Sequence, residues 1–243
     1  MWMEGSTSGV YRMWFQHMDI NRIPFYQYNT IIVGTGAAGL NAAVTLHKLG
    51  QKNIALITEG RYMGTSRNTG SDKQTYYKMT QCGSEPDSVR KMAKTLFEGG
   101  CVDGDIAMAE AAGSLRAFYH LVDIGVPFPF NKSGEYVGYK TDHDPLKRGI
   151  SAGPLTSKYM TECLERQAEE RGIPFFDGYQ AVRLLTEEKD GKKRAAGIIA
   201  LNKQKAASPD ERYAVFSAVN IIWATGGEAG MYQASVYPVS QTG

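Results

Sequence analysis

The chain has 243 residues, 42% of them hydrophobic and 21% charged, a length and composition that suit one large globular domain. Its formal net charge is only +2, with acids and bases mixed along the chain, which leaves no electrostatic footprint for nucleic acid. No stretch approaches the roughly 18–20 apolar residues of a membrane span, and the N-terminus lacks the apolar core of a secretory signal, so a cytoplasmic protein is expected.

Residues 1–27 are expected to be a disordered N-terminal arm, with Met18 reading as a natural start within it. Residues 30–33 are a β-branched apolar run, a buried parallel strand by composition. Residues 37–49 place Leu40, Ala43, Val44 and Leu46 at helical spacing, closed by Gly50. Residues 53–58, NIALIT, form the next strand and end at Glu59. Strand, glycine turn, helix and strand make one βαβ unit. After the polar stretch GRYMGTSRNTGSDKQTYYK come two helices, over 86–97 and 105–122. The first has Asp87 near its start, and Asp103 or Asp105 caps the second. VPFPFNKSGEYVGY reads as a hairpin turning at residues 131–134, and KTDHDPLKRGISAG as a loop. Residues 154–171 are strongly helical, with Gly172 at the C-cap position and Pro174 beyond it. PFFDG, QAVRLLTE, AAGIIALNK and RYAVFSA are strand candidates of an antiparallel group. NIIWAT is a last buried strand that runs into Gly226-Gly227. The order gives an α/β fold, a parallel sheet into which an antiparallel β-meander and helices are inserted.

The glycine loop GTGAAG carries the first functional signal. Gly34 allows a tight turn, Gly36 lets backbone approach a pyrophosphate, and Gly39 lets the helix pack closely on the strand. The helix start offers unpaired N–H groups to phosphate. Glu59 lies twenty positions past Gly39, where a carboxylate accepts hydrogen bonds from ribose hydroxyls. NAD and FAD both fit this arrangement. NIIWATGG is a second apolar strand ending in small residues. Ligands of doubly wound sheets lie at the carboxyl ends of strands, so the pair suggests a long ligand passing two strand ends.

VGTGAAGLNAA, Glu59, TSRNTGSDKQ, AGPLTSKYMTECLERQAEERGIPFFDGYQAVRL, NIIWATGG and SVYPVSQTG occur in this order. In them, residues 28–243 resemble the N-terminal FAD-binding region of the succinate dehydrogenase/fumarate reductase flavoprotein family, which includes L-aspartate oxidase. The resemblance implies a Rossmann-like FAD-binding domain. It implies Gly34, Gly36, Ala38 and Gly39 on the FAD pyrophosphate, Glu59 on the adenosine ribose and Ala181 at the adenine. It implies Ala224, Thr225 and Gly226 beside the dinucleotide, and Ser66, Asn68, Thr69, Gly70 and Ser71 along the flavin and ribityl chain. Respiratory members carry Ser-His-Thr, whose histidine binds flavin covalently. This chain has Ser66-Arg67-Asn68, so FAD is expected to be held without a covalent bond. Where they continue Ala-Gln-Gly-Gly, this chain has SDKQ. Its Lys73 reads as a flavin-edge cation or, more simply, as a solvated loop residue.

Flavin carries hydride chemistry, while the protein positions substrate. Reducing a C=C bond beside a carboxylate needs cationic and hydrogen-bonding groups on that carboxylate and a proton donor at the other carbon. The family's Thr-Gly-Asp-Gly turn begins where Thr242-Gly243 stand. Its His-Pro-x-Gly substrate segment, catalytic arginine and last flavin-contacting helix have no counterpart here. The chain is therefore expected to be the FAD-binding portion of an FAD-dependent oxidoreductase, C-terminally incomplete and truncated before the capping domain. The small carboxylate substrate, and an electron-transfer partner or second subunit, would belong to the full-length protein. No residue is assigned a catalytic role. His143 as a proton carrier and Arg148 as a carboxylate contact both read more simply as solvated loop residues. His47 and His120 read as structural, and Trp223 and the tyrosines of QTYYK as core or flavin-packing. Cys82, Cys101 and Cys163 form no C-x-x-C pair and the histidines show no ligand spacing, which argues against disulfides, dithiol chemistry and a metal site. The alternative function is a non-catalytic FAD- or NAD-binding module acting with a partner chain. A domain truncated in this way is expected to expose apolar sheet surface and to bind FAD weakly.

Overall fold

The structure, a computed structural model, describes residues 23–71, 74–81, 86–141, 144–209, 211–235, 237 and 241. The arm up to residue 22, Lys73, Cys82 and His143 lie outside the described residues. The elements are β1 (Phe25–Val33), α1 (Ala37–Lys48), β2 (Ile54–Thr58), the single turn α2 (Thr65–Asn68), β3 (Tyr76–Tyr77), α3 (Val89–Glu98), α4 (Gly104–Asp123), β4 (Gly149–Ile150), α5 (Thr156–Glu170), β5 (Phe175–Asp177), β6 (Tyr179–Lys189), β7 (Lys192–Asn202) and β8 (Tyr213–Trp223). They fall into two units. One takes the chain up to Asn68 and again from Arg166; the other is Thr69–Glu165.

The first unit is built on a six-stranded sheet in the order β5-β2-β1-β8-β7-β6. The first four strands are parallel, and β7 and β6 are antiparallel. β2, IALIT, is buried at every position, as expected of a parallel strand covered on both faces. Along β1 the side chains alternate. Ile31 and Val33 join Ile57, Ile198, Ala200 and Phe216 in one apolar layer. Ile32 faces the other way, where Gly39 of α1 comes against it. Tyr26, Phe176 and Phe216 pack ring to ring within the first layer.

Three expectations for this unit are corrected. β1 starts at Phe25, inside the expected arm, because its ladder to β8 already begins at Phe25↔Val215. RYAVFSA and NIIWAT are one strand, β8, since that ladder runs on to Val33↔Trp223 in an unshifted register. PFFDG does not join the meander. Phe175 pairs with Leu56, in parallel, and Phe176 packs on Tyr26 and Phe216. The turn between β6 and β7 is Asp190-Gly191, both left-handed with φ 54° and 70°, the backbone of a two-residue type I′ hairpin. Phe25, Val182, Leu184, Val219 and Trp223 leave apolar sheet surface exposed.

In the second unit, α3 and α4 bury Met92, Ala93, Ala107 and Ala111 against one another, with Tyr77 and Met79 packed on them. Ser88 caps α3 by accepting from Lys91 N at 3.2 Å, and Asp103 caps α4 by accepting from Asp105 N and Ile106 N. VPFPFNKSGEYVGY has the expected turn without a strand ladder. Asn131 Oδ1 accepts from Ser133 N and Glu135 N, and the prolines at 127 and 129 offer no N–H to a partner strand. Within the expected loop, Gly149–Ile150 pairs with Tyr76–Tyr77.

Arg148 is the largest departure. It is not solvated but fully buried, at 0% exposure. Its Nε and Nη2 donate to the two carboxylate oxygens of Asp87 at 2.8 and 2.7 Å. Nη1 donates to Thr95 Oγ1 at 2.9 Å and to Asp144 Oδ1 at 3.3 Å. Asp87 is therefore the arginine's partner rather than a helix-start charge. Burial alone would push the Asp87 carboxyl up, but the bonds from Arg148, Thr80 N and Ser88 N outweigh it and hold the pKa below the ordinary value. Tyr77 OH donates to Asp144. Burial first, and then that bond, push the hydroxyl up to about 12, against the opposing effect of Arg148.

Candidate functional site

β1 and β8 are neighbours, so their carboxyl ends lie side by side and the turns that follow them meet. Ala224 N donates to Val33 O at 2.8 Å. Gly34 has φ 107°, and a Cβ there would fall 2.3 Å from Ala224 O. A Cβ on Gly39 would fall 2.0 Å from Gly34 O. The protein's own backbone therefore demands both glycines. Gly36 is different. Its φ is −75°, open to any residue, and a Cβ there would meet only Ser66 Oγ, at 3.4 Å. The bare backbone at Gly36 lines an open cleft.

α1 begins at this point with no side-chain cap and no acid in its first turn. Its first N–H groups have no partner within the helix and form the positive end of its dipole. Ala37 N donates to Ser66 Oγ over a long 3.3 Å. This donor set suits a phosphate anion.

The cleft measures about 640 Å³, within the range of small-molecule sites. Gly34, Gly36, Ala38, Glu59, Ser66, Asn68, Ala181, Ala224, Thr225 and Gly226 line it, ten of the fourteen residues singled out in the sequence. Gly39 lies behind the loop in α1. Thr69, Gly70 and Ser71 belong to the second unit, where Ser71 N donates to Pro154 O at 3.0 Å. Ser66 Oγ faces the start of α1, where it accepts from Ala37 N. Asn68 spends its amide nitrogen on the carbonyls of Tyr62, Met63 and Gly64, which ties off the α2 turn. Ala181 is followed by a break in the β6–β7 register. Trp223, expected in the core or on the flavin, is 52% exposed and lines the cleft.

Several lining residues carried no sequence assignment. Thr35 Oγ1 donates to Thr58 Oγ1 at 3.0 Å, joining the ends of β1 and β2. Tyr179 sits on the aromatic layer, and burial, then Tyr26, push its hydroxyl up to about 12. Gln241, within the quoted SVYPVSQTG, bonds Thr65 Oγ1. Glu59 is the one formally charged side chain lining the cleft among the described residues, and Lys203 Nζ donates to its Oε1 at 2.7 Å. No described segment offers a cluster of metal ligands, no described helix is long and apolar enough to cross a membrane, and Cys101 and Cys163 are free thiols.

The sequence profile described as the FAD binding domain matches residues 29–243. The chain belongs to the FAD binding domain family. Among its relatives, L-aspartate oxidase of Agrobacterium fabrum is 27% identical over 220 residues, covering 88% of this chain and 38% of that protein. The 8-methylmenaquinol:fumarate reductase flavoprotein subunit of Wolinella succinogenes is 27% identical, covering 91% of this chain and 35% of that protein. Sdh1 of Mycobacterium smegmatis shares the fold, with a TM-score of 0.75 and 18% identity over 89% of this chain and 36% of that one. The resemblance to succinate dehydrogenase, fumarate reductase and L-aspartate oxidase flavoproteins therefore holds, and so does the α/β fold. The chain spans little more than a third of the length of these relatives.

Proposed function

We propose that this chain is the FAD-binding portion of an FAD-dependent oxidoreductase acting on a small carboxylate, in the manner its relatives' names describe, with FAD held without a covalent bond. The observation that carries the proposal is Gly36, a glycine that neither φ nor any protein neighbour requires, set at a helix start that has no N-cap side chain of its own and opens on the cleft. The N–H groups of the first turn of α1 hold the pyrophosphate. Glu59 accepts from the adenosine ribose and Ala181 stands at the adenine. Ala224, Thr225 and Gly226 run beside the dinucleotide. Ser66 and Asn68, with Thr69, Gly70 and Ser71 by family resemblance, accompany the ribityl chain and flavin. When bound, the flavin supplies the hydride chemistry.

Non-covalent attachment is supported by the lining, which among the described residues contains no histidine or cysteine. Arg67, at the place of the family's flavin-linking histidine, lays its guanidinium 5.1 Å from the Tyr62 ring centre and is no nucleophile. The carboxylate-binding groups, the proton donor and an electron-transfer partner or second subunit belong to the full-length, cytoplasmic protein. A second function, a non-catalytic FAD- or NAD-binding module acting with a partner chain, is favoured by one observation: no lysine, arginine, histidine or cysteine lines the cleft among the described residues.

The test is an absorbance spectrum of the purified chain after soaking in excess FAD and desalting, taken before and after acid precipitation. Flavin bands that pass to the acid supernatant are expected. Colour kept in the pellet would refute non-covalent binding, and a colourless protein would refute FAD binding by this chain. Displacement of the flavin by NAD would favour the module.

A further inference from the structure

Glu59 and Lys203 are 144 positions apart in sequence, and their bond brings Lys203 Nζ to 2.7 Å from Glu59 Oε1. The Lys203 and Glu59 side chains are 44% and 40% exposed, and such a pair contributes little to stability. Its surroundings are nevertheless built. Lys203 N donates to Gly178 O at 2.8 Å, in the turn between β5 and β6. Asn202 caps the short turn that carries Lys203 by accepting from Gln204 N at 3.1 Å. The Nδ2 of Asn202 donates to Tyr179 OH at 3.2 Å, and Tyr179 lines the cleft beside Ala181. The backbone of Lys203 is thus pinned to the strand that forms one wall of the cleft, and its side chain crosses to Glu59 at the end of β2.

Charge gives this placement a purpose. Glu59 is the one formally charged lining group among the described residues, and it is an anion in a site shaped for an anionic dinucleotide. The start of α1 offers roughly half a positive charge, which an unpaired carboxylate nearby would oppose. We infer that Lys203 is a positioning residue of the nucleotide site. It holds Glu59 through Oε1, leaves Oε2 to accept from the ribose hydroxyls of an adenosine, and cancels the carboxylate's repulsion of the pyrophosphate. This rests on the proposal that the cleft takes FAD, and it specifies the adenosine end of that ligand.

The experiment is equilibrium binding of FAD and of ADP to the full chain, in the wild type, Lys203→Met, Lys203→Arg, Glu59→Gln and the Lys203→Met/Glu59→Gln double variant, with melting curves for each. Both ligands should bind about three- to tenfold more weakly to Lys203→Met, the scale of a pair worth about 1 kcal/mol, while Lys203→Arg restores most of the affinity. In the Glu59→Gln background Lys203→Met should have no further effect, which a merely structural role would not produce. The exposed pair leaves melting unchanged, so the variants stay folded. An equal loss in both backgrounds, or no loss in Lys203→Met, overturns the inference. Wild-type protein that binds ADP and not FAD overturns the FAD proposal alone, and binding of neither overturns both.

Discussion

Gly34 and Gly36 belong to one motif but answer to different masters. A methyl group on Gly34 meets Ala224 O at 2.3 Å in a left-handed backbone, so Gly34→Ala should destabilise the fold by about 1–3 kcal/mol in urea unfolding. Gly36→Ala meets nothing closer than 3.4 Å and should cost less than about 1 kcal/mol. It should nonetheless weaken FAD more than tenfold in a binding titration, because a charge-assisted hydrogen bond to phosphate is worth about 1.5–3 kcal/mol. The motif's spacing makes all three glycines legible in the sequence, but not the reason for each. Gly34 is required by the turn after β8, which the chain reaches only some 190 residues later. Lys203 was illegible for the same reason. It follows no motif, and only the pairing of distant strands brings it to Glu59.

Elements were legible where local chemistry decides them. α1, β2 and the Asp-Gly turn are written in apolar periodicity and turn residues. Gly191→Ala, at φ 70°, should cost about 1–2 kcal/mol, and Asp103→Ala about 1 kcal/mol through loss of the α4 cap, both read as shifts in the urea midpoint. Other elements were misread because their partners lie far away. The β8 sequence reads as two strands, RYAVFSA and NIIWAT, divided at Val219, yet Ser217 before the division and Asn220 after it pair with Gln27 and Thr30 of β1 in one register. VPFPF alternates like a strand, but its prolines remove the donors a ladder needs.

Across the molecule, the buried Arg148 network links stability to pH. The Asp87 pKa is held below its ordinary 3.8. Its contribution is therefore present above pH 3.8 and lost as the pH falls through the lower folded value. Tyr77 is pushed from 10.0 to about 12. Its contribution is present below pH 10 and lost as the pH rises toward 12. Urea unfolding from pH 2 to 12 should show a plateau falling at both ends. Asp87→Asn should lower the plateau by about 3–5 kcal/mol, since it strips a buried arginine of its main partner, and should flatten the acid limb. Tyr77→Phe should make the alkaline one shallower, leaving the part that Tyr76 and Tyr179, also pushed up to about 12, contribute. Saturating FAD should stabilise the protein by about 2.7 kcal/mol at a hundred times Kd, seen as slower hydrogen exchange in the loops after β1 and β8.

The long ladder between β1 and β8 has a consequence in time. Phe25 pairs with Val215 and Val33 with Trp223, so β1 emerges from the ribosome long before the strand that will flank it. At about 5–20 residues per second the wait is on the order of ten to forty seconds. Through that interval Ile31, Ile32 and Val33 present an apolar strand edge with no native neighbour on that side, an edge open to other nascent chains. The nucleotide cleft cannot exist until that gap is filled, so cofactor capture must follow translation of β8. A pulse-chase experiment should find the newborn chain held by chaperones until residues 213–223 have cleared the exit tunnel.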